Sequence, residues 1–377
     1  MKKRLFMIVA VVLALSLALA ACGGGGSSTP PDQPATPEPS APSGSEPAAE
    51  APLEVIELTM MNHEGPASVT AIMLDIWCDA IAEASGGSLI ITPFHGSLGG
   101  PRDTYNMVVD GSVDIGFGLA SFYPGMFPAS DVIALPFLGA QNALQGGHAM
   151  QELYDTTDFL KPEYSDVHVI LATTNTVAPL ITVDKKVEKI EDLRGYNIRT
   201  IGGPITEFMK LAGANPMTID LGEIYTSLEK GVINAVSAVG WEATEATKIY
   251  ELGNYFLDYE MQVNPTFIIM NQAKYDSLPA AHKAILDEFS GHKAIDVQGD
   301  GREQSRQRMY DAIRDQGGEV YQLEPAEYER FKEVGSEASA IWREQVEAVG
   351  IDADALEAKC AELFAKYAQE YKYDYVF

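Results

Sequence analysis

The amino-acid sequence predicts an α/β protein built from two similar lobes with a cleft between them. Stretches rich in β-branched and aromatic residues alternate with stretches of helical periodicity, which is typical of βαβ units in a parallel sheet. The same order of strand, loop and helix occurs before and after about residue 178. With 377 residues the chain is long enough for two domains, and a cleft between domains is a preferred place for a small ligand.

The first half of the chain alternates strands with helices that end at glycines. Alternating apolar residues predict strands at 55–61, 89–92, 113–118 and 167–172. Helical spacing of apolar residues predicts helices at 68–84, 102–109 and 147–154. Gly86 and Gly111 lie directly after the first two helices, where glycine commonly ends a helix.

The second half repeats this order, beginning with a turn at Gly195. Residues 196–200 have the composition of a short strand, and a helix is predicted from Pro204 to the glycine at 213. Further strands are predicted at 231–238 and 264–270, and a helix at 222–229. A long helical region covers 278–316, although glycines interrupt its pattern, and helix resumes from residue 325.

Arg199 lies near the end of the 196–200 strand, just before two glycines and the N-terminus of a helix. Ligands of open α/β sheets bind beyond the carboxyl ends of strands, facing helix N-termini. A guanidinium can hold a carboxylate through two parallel hydrogen bonds, which a lysine cannot do. We therefore predict that Arg199 binds an anion; the alternative is that it pairs with a structural acid.

The N-terminus predicts export and lipid anchoring. Basic residues at 2–4 precede an apolar run at 6–20 that is short for a membrane span, so residues 1–21 are predicted to be a signal peptide. The small residues before Cys22 resemble a bacterial lipobox, which predicts lipidation of Cys22; an uncleaved anchor is the alternative. Residues 22–53 are rich in Gly, Ser, Pro and Glu and are predicted to be a disordered tether.

The formal net charge of −28 argues against nucleic acid and against a polybasic membrane contact. It does not exclude an anionic ligand, because one arginine at contact distance outweighs a diffuse acidic surface. Cys78 and Cys360 lie near opposite ends of the chain and are expected to be free, buried thiols; a disulfide between them is the alternative.

Motifs that carry catalysis or cofactor binding are absent from the sequence. It contains no Gly-x-Ser-x-Gly elbow, no phosphate-binding Gly-rich lysine loop and no His-Glu-x-x-His. Its six histidines lack the spacing of metal ligands. We therefore expect a binding protein rather than an enzyme, with no cofactor and no metal.

Short motifs in a fixed order over about 320 residues resemble the DctP-type solute-binding proteins of tripartite (TRAP) transporters. The motifs are Asp110-Gly111-Ser112-Val113-Asp114, Leu135-Pro136-Phe137-Leu138, Glu191 to Arg199, Glu223-Ile224-Tyr225 with Gly231-Val232-Ile233-Asn234, and Leu278-Pro279. Each motif is weak alone, and their order makes the resemblance specific.

The resemblance implies a fold like that of type II periplasmic binding proteins: two Rossmann-like lobes, hinge strands and a long helix across the back. Lobe I would comprise residues 54–177 and 265–311, and lobe II residues 178–264 and 312–377. It also implies capture of a small organic acid outside the cytoplasm and its delivery to membrane permease subunits. We expect a monomer that is anchored to the outer face of the cell membrane; a periplasmic location is the alternative.

The resemblance makes Arg199 the carboxylate-binding arginine and suggests Asn62, with His63 beside it, as polar pocket residues. Apolar residues stand where sialic-acid-binding members have polar ones, namely at Leu119, Phe122, Ala178 and Ala238. A buried hydroxyl needs a hydrogen-bond partner, so these exchanges argue against a polyhydroxylated acid.

Aromatic residues are expected to replace those polar partners. Phe122, Tyr123 and Trp241 would contact the apolar or aromatic body of a monocarboxylate, although ordinary core packing is the alternative for each. Asn175, after the 167–172 strand, is a further hydrogen-bonding candidate. Some family members bridge their ligand through a cation, which Glu242 could hold. The rival functions are a binding protein that serves a sensor, or a cell-surface enzyme.

Overall fold

Two β-sheets form the framework of the computed structural model, which describes residues 53–376. Eleven strands are found in this part of the chain. They are β1 (Ile56–Asn62), β2 (Leu89–His95), β3 (Ile115–Leu119), β4 (Val167–Thr174), β5 (Leu180–Thr182), β6 (Asn197–Thr200), β7 (Asn215–Thr218), β8 (Ala235–Val236), β9 (Tyr255–Leu257), β10 (Pro265–Asn271) and β11 (Glu319–Tyr321).

Both sheets are mixed, because each contains one strand that runs against its neighbours. The first sheet has the order β2-β1-β3-β10-β4, with β10 antiparallel to β3 and β4. The second has the order β11-β9-β5-β8-β6-β7, with β5 antiparallel to β8 and β9. The remaining pairs are parallel, as the βαβ pattern predicted.

The chain passes between the sheets three times: from β4 to β5, from β9 to β10, and through a long helical connection from β10 to β11. The first two connections run side by side. They pair through backbone hydrogen bonds, from Asn175 N to Asn264 O at 3.2 Å and from Ala178 N to Gln262 O at 3.3 Å. These two connections correspond to the expected hinge strands. The strands of the first sheet fall within predicted lobe I and those of the second within lobe II, while the lobe boundaries themselves stay a prediction.

Twelve α-helices are found among residues 53–376. They are α1 (Val69–Ala84), α2 (Thr104–Val109), α3 (Ala143–Thr156), α4 (Gly203–Leu211), α5 (Ile224–Glu229), α6 (Trp241–Thr247), α7 (Gln272–Ser277), α8 (Ala280–Glu288), α9 (Gly291–Gln298), α10 (Gly301–Asp315), α11 (Pro325–Ala348) and α12 (Ala353–Tyr367). Side chains cap several of them; Ser68 Oγ, for example, accepts a hydrogen bond from Ala71 N at 3.0 Å before α1.

The helical region predicted at 278–316 is divided into α8, α9 and α10 near the glycines that interrupt its pattern. The longest helix is α11, with 24 residues. It packs against α4, and Trp342 Nε1 donates a hydrogen bond to Pro128 O at 2.7 Å. Helix α11 therefore contacts elements of both predicted lobes, as expected for a helix across the back.

Short elements account for most differences from the predicted order. Strands β5, β9 and β11 have three residues each, and the strand predicted at 231–238 is reduced to the two residues of β8. A three-residue strand is too short to show an alternating pattern. Such strands form because neighbouring strands offer hydrogen bonds, which the local sequence does not reveal.

Cys78 and Cys360 are free and buried, as predicted. Within residues 53–376, no helix combines the length and apolar character needed to cross a lipid bilayer. The predicted signal peptide, Cys22 and the tether lie outside the described residues, apart from Leu53 at the end of the tether.

Candidate functional site

A cavity lies between the two sheets, at the carboxyl ends of β1, β3, β6 and β8. About 460 Å³ not occupied by protein atoms lies there, including open solvent at the mouth. Its apolar wall is formed by Phe117, Leu119, Phe122, Ile201, Leu221 and Ala238. Because both sheets contribute residues, a ligand in this cavity would contact both halves of the molecule.

Arg199 reaches the cavity from β6, and its side chain is only 1% exposed. Its Nε donates to Ile219 O at 3.0 Å, and its Nη1 donates to Ser237 O at 3.3 Å and Ala238 O at 3.0 Å. These three carbonyls hold the guanidinium in one orientation. Nη2 has no hydrogen-bond partner among residues 53–376 and is the nitrogen left for a ligand.

No acid within residues 53–376 forms an ion pair with Arg199, which disfavours the alternative of a structural ion pair. Burial lowers the pKa of Arg199 to about 9, and the more distant Asp220 opposes this shift. The guanidinium therefore stays charged at neutral pH. A buried charge without a counter-ion is costly, and an anion in the cavity would relieve that cost.

Three further predicted site residues also line this cavity: His63, Phe122 and Asn175. The His63 ring lies 6.0 Å from the ring of Phe117 and 6.2 Å from that of Phe122, measured between centroids. Burial lowers the pKa of His63 to about 4, so its imidazole is neutral at pH 7, and its Nδ1 has no partner among the described residues. Asn175 Oδ1 accepts a hydrogen bond from Asn264 N at 2.7 Å.

Asn62, Tyr123 and Trp241 do not line this cavity. Asn62 Nδ2 lies 3.0 Å from His95 Nδ1, and its Oδ1 accepts a hydrogen bond from Glu64 N at 3.1 Å, so it orders the loop instead. The Tyr123 hydroxyl accepts from Tyr105 N at 2.9 Å and belongs to an aromatic cluster. These side chains serve packing, which was the stated alternative for the aromatic residues.

Trp241 is the first residue of α6, and its side chain is fully buried. Its ring packs 5.1 Å from the ring of Tyr310 and 6.4 Å from that of Phe256. The next residue, Glu242, lines the cavity. Successive helical residues point in different directions, so the sequence located this segment after the 231–238 strand but not which side chain faces the cavity.

The cavity also contains a charged group formed by Glu64, Glu242 and Arg302, called the Arg302 cluster below. The sequence interpretation named only Glu242, as a residue that could hold a bridging cation, and did not identify Glu64 or Arg302. Oε2 of Glu242 accepts a hydrogen bond from Thr176 Oγ1, and Oε1 accepts from Thr176 N at 3.4 Å. Burial raises the pKa of both glutamates, and Arg302 opposes the rise. Burial lowers the pKa of Arg302, and the two acids oppose that shift.

The spacing of residues in α10 contained the signal for Arg302. Residues 302, 306, 309 and 313 recur at helical spacing, and Met309 and Ile313 make this a core-facing stripe. The presence of Arg302 and Arg306 on that stripe predicts two buried arginines. Among residues 53–376, no group of three or more His, Cys, Asp or Glu side chains is arranged to hold a metal ion.

Residues 61–347 match the protein family described as "Bacterial extracellular solute-binding protein, family 7" (DctP). The chain is 27% identical over 251 residues to the 2,3-diketo-L-gulonate-binding periplasmic protein YiaO of Escherichia coli, covering 64% of this chain and 74% of that protein. It is 26% identical over 221 residues to a monocarboxylate 2-oxoacid-binding periplasmic protein of Nostoc, covering 55% of this chain and 57% of that one.

Solved structures of TRAP solute-binding proteins share the fold. One from Rhodoferax ferrireducens, in complex with copurified benzoate, superposes with a TM-score of 0.79 at 25% identity and covers 84% of this chain and 99% of that chain. One from a marine metagenome, in complex with metahydroxyphenylacetate, superposes with a TM-score of 0.77 at 25% identity and covers 83% of this chain and 99% of that chain. With the family match over residues 61–347, the chain belongs to the DctP family of TRAP solute-binding proteins.

Proposed function

We propose that this protein captures a monocarboxylate with an apolar or aromatic body and delivers it to a TRAP membrane permease. The observation that carries the proposal is the buried Arg199, which lacks an acidic partner among the described residues and borders an apolar cavity. The carboxylate would bind Nη2 of Arg199, and the body would pack against Phe117 and Phe122. Benzoate and metahydroxyphenylacetate in the two similar structures support this class of ligand.

The pattern of hydrogen bonds changes the expected form of the carboxylate contact. Nε and Nη1 of Arg199 already donate to three carbonyls, so a contact through two nitrogens would have to replace one of those bonds. A ligand carboxylate is therefore held chiefly through the N–H groups of Nη2. His63 contributes a neutral ring with an unpartnered Nδ1, and Asn175 a polar edge.

A screen of small carboxylates by thermal shift, using the protein without its N-terminal 52 residues, tests the proposal. A ligand present at a hundredfold excess over its Kd stabilises the folded protein by about 2.7 kcal/mol, which raises the melting temperature by several degrees. Benzoate, phenylacetate and butanoate should stabilise it. Stabilisation by sugar acids alone would refute the proposed ligand class.

Mass spectrometry of protein purified under native conditions separates binding from catalysis. A binding protein releases its ligand unaltered and in a one-to-one ratio on denaturation, whereas an enzyme returns product. Growth on the identified acid, compared between cells with and without the gene, separates transport from sensing. A sensor-linked protein would leave uptake of the acid unchanged.

Lipid anchoring at Cys22 and the monomeric state are proposed on the same basis of resemblance. Mass spectrometry of the mature protein should find Cys22 as the first residue with a lipid on its thiol. An unmodified Cys22 would reject the lipid anchor. Size-exclusion chromatography with light scattering should give the mass of one folded chain.

A further inference from the structure

The cavity is lined by a second charged group besides Arg199, the Arg302 cluster. The charge of Arg199 interacts with Asp220, whereas that of Arg302 interacts with Glu64 and Glu242. Two charged groups therefore line one cavity, together with the apolar side chains named above.

Arg302 is buried without a partner. Its side chain is 6% exposed, and it forms no hydrogen bond or ion pair with any of residues 53–376. A guanidinium in this position loses its hydration and keeps only the attraction of Glu64, Glu242 and Glu303, without a hydrogen bond, so an acceptor supplied in the cavity would stabilise it. Such an arrangement is typical of a binding group and atypical of a structural one.

The two acids of the cluster are held in place by other elements. Glu242 accepts both of its hydrogen bonds from Thr176 in the connection between the sheets. The backbone N–H of Glu64 donates a hydrogen bond to Asn62 Oδ1 at 3.1 Å. Helix α10, which carries Arg302, packs against α1 and α6. Three separate segments therefore present charged side chains to the same cavity, with no direct hydrogen bond or ion pair between them.

We propose that the ligand carries, besides its carboxylate, a second polar group that is uncharged, such as a hydroxyl or an amide, and that Arg302 and Glu242 bind this group. The proposal rests on the proposed function and narrows its ligand class. A hydroxyl can accept a hydrogen bond from the guanidinium of Arg302 and donate one to the carboxylate of Glu242. It would therefore pair with both the donor and the acceptor of the cluster. Glu64 is the second acceptor.

The charge of the cluster favours an uncharged group. A second ligand carboxylate would add a negative charge beside Glu64 and Glu242, and an ammonium would add a positive charge beside Arg302. Burial raises the pKa of both glutamates, so the cavity disfavours charged groups in general and a further charge on the ligand in particular. The specificity is strict in principle, because an analogue that lacks the hydroxyl leaves buried polar groups unpaired.

Calorimetric titration with matched pairs of probes tests the proposal. Benzoate, phenylacetate and butanoate are each compared with their monohydroxylated derivatives. Isophthalate, which adds a second negative charge, and 3-(aminomethyl)benzoate, which adds a positive charge, test whether a second charged group is accepted. For at least one pair, the hydroxylated member should bind the parent protein at least tenfold more tightly. That preference should fall below threefold in Arg302→Met and in Glu242→Gln.

Matched variants separate this proposal from the proposed function. Arg314→Met, at the exposed end of α10, is the control for Arg302→Met and should keep the preference. Arg199→Lys should weaken both members of a pair alike and leave their ratio unchanged. If no monocarboxylate binds the parent protein, the proposed function fails. If monocarboxylates bind but hydroxylation gives no advantage, only this inference fails.

Two more outcomes would overturn the inference: tighter binding of either doubly charged probe, or a preference that survives in both cluster variants. Should Arg302→Met prove unfolded by its melting curve, Glu242→Gln and Glu64→Gln decide the question, because they change a carboxylate to an amide of nearly the same shape. The preference for the hydroxylated member must then fall in at least one of them for the proposal to stand.

Discussion

Arg199→Lys tests the proposed carboxylate contact most directly, because it keeps the positive charge and removes the guanidinium shape. In the parent protein, three N–H groups bind the carbonyls of Ile219, Ser237 and Ala238, and Nη2 remains for the ligand. An ammonium has fewer donors, so a lysine that satisfies the carbonyls has none left for a carboxylate. The charge alone should not preserve binding.

The size of the effect follows from the hydrogen bonds that are lost. A hydrogen bond to a charged group contributes about 1.5 to 3 kcal/mol, and removing the partner of a buried charge costs about 2 to 5 kcal/mol. We expect Arg199→Lys to lose about 2 to 4 kcal/mol of affinity, which is roughly a 30- to 700-fold increase in Kd. Calorimetric titration of both proteins with benzoate at 25 °C measures the two Kd values.

Arg194→Lys is the matched control, because Arg194 is exposed and precedes the same strand. It should bind benzoate as the parent protein does. Melting curves recorded in parallel show whether Arg199→Lys is folded, since the loss of carbonyl partners also destabilises the protein. A folded Arg199→Lys that binds benzoate within threefold of the parent protein would refute the carboxylate contact.

Three further substitutions test other parts of the structure. Trp241→Phe should lower the free energy of unfolding by about 1 to 3 kcal/mol in urea titration and leave ligand affinity within threefold, because its ring packs in the core. The pKa of His63 is lowered to about 4 in the folded protein, so between pH 6.5 and 4 the unfolded chain binds a proton at His63 that the folded protein does not bind. Acidification over this interval should therefore lower the melting temperature of His63→Phe less than that of the parent protein. Equal slopes of melting temperature against pH would contradict the lowered pKa. Burial and Glu163 raise the pKa of Asp131 to about 8 in the folded protein. Ionisation of Asp131 in the unfolded chain therefore reduces the stability of the parent protein as pH rises from about 4 to 8. Asp131→Asn should have a higher melting temperature than the parent protein at pH 8, and the difference between them should disappear toward pH 4.

Long, regular elements were predictable because their signals are local. The helix α1 follows from the apolar spacing between Ser68 and Gly86, and in the structure Ser68 caps it. Arg199 was identified because a strand, a glycine loop and a helix start follow one another around it. In each case, residues close in sequence determine the outcome.

Other features depended on contacts between distant segments. Strand β5 is three residues long and pairs with β8 and β9, and only those partners make it a strand. At the start of α6, the packing of the helix turned Trp241 into the core and Glu242 toward the cavity. The sequence drew attention to this segment through Trp241, but nothing within it distinguishes the two directions.

The sequence by itself determined the order of the main elements, the family and the position of Arg199, because periodicity, turns and short motifs are properties of neighbouring residues. Only the tertiary structure decided that Glu64, Glu242 and Arg302 meet in the same cavity. These residues belong to three elements far apart along the chain. Whether such side chains meet depends on how the helices pack against one another, which is set by the shape and burial of the whole core.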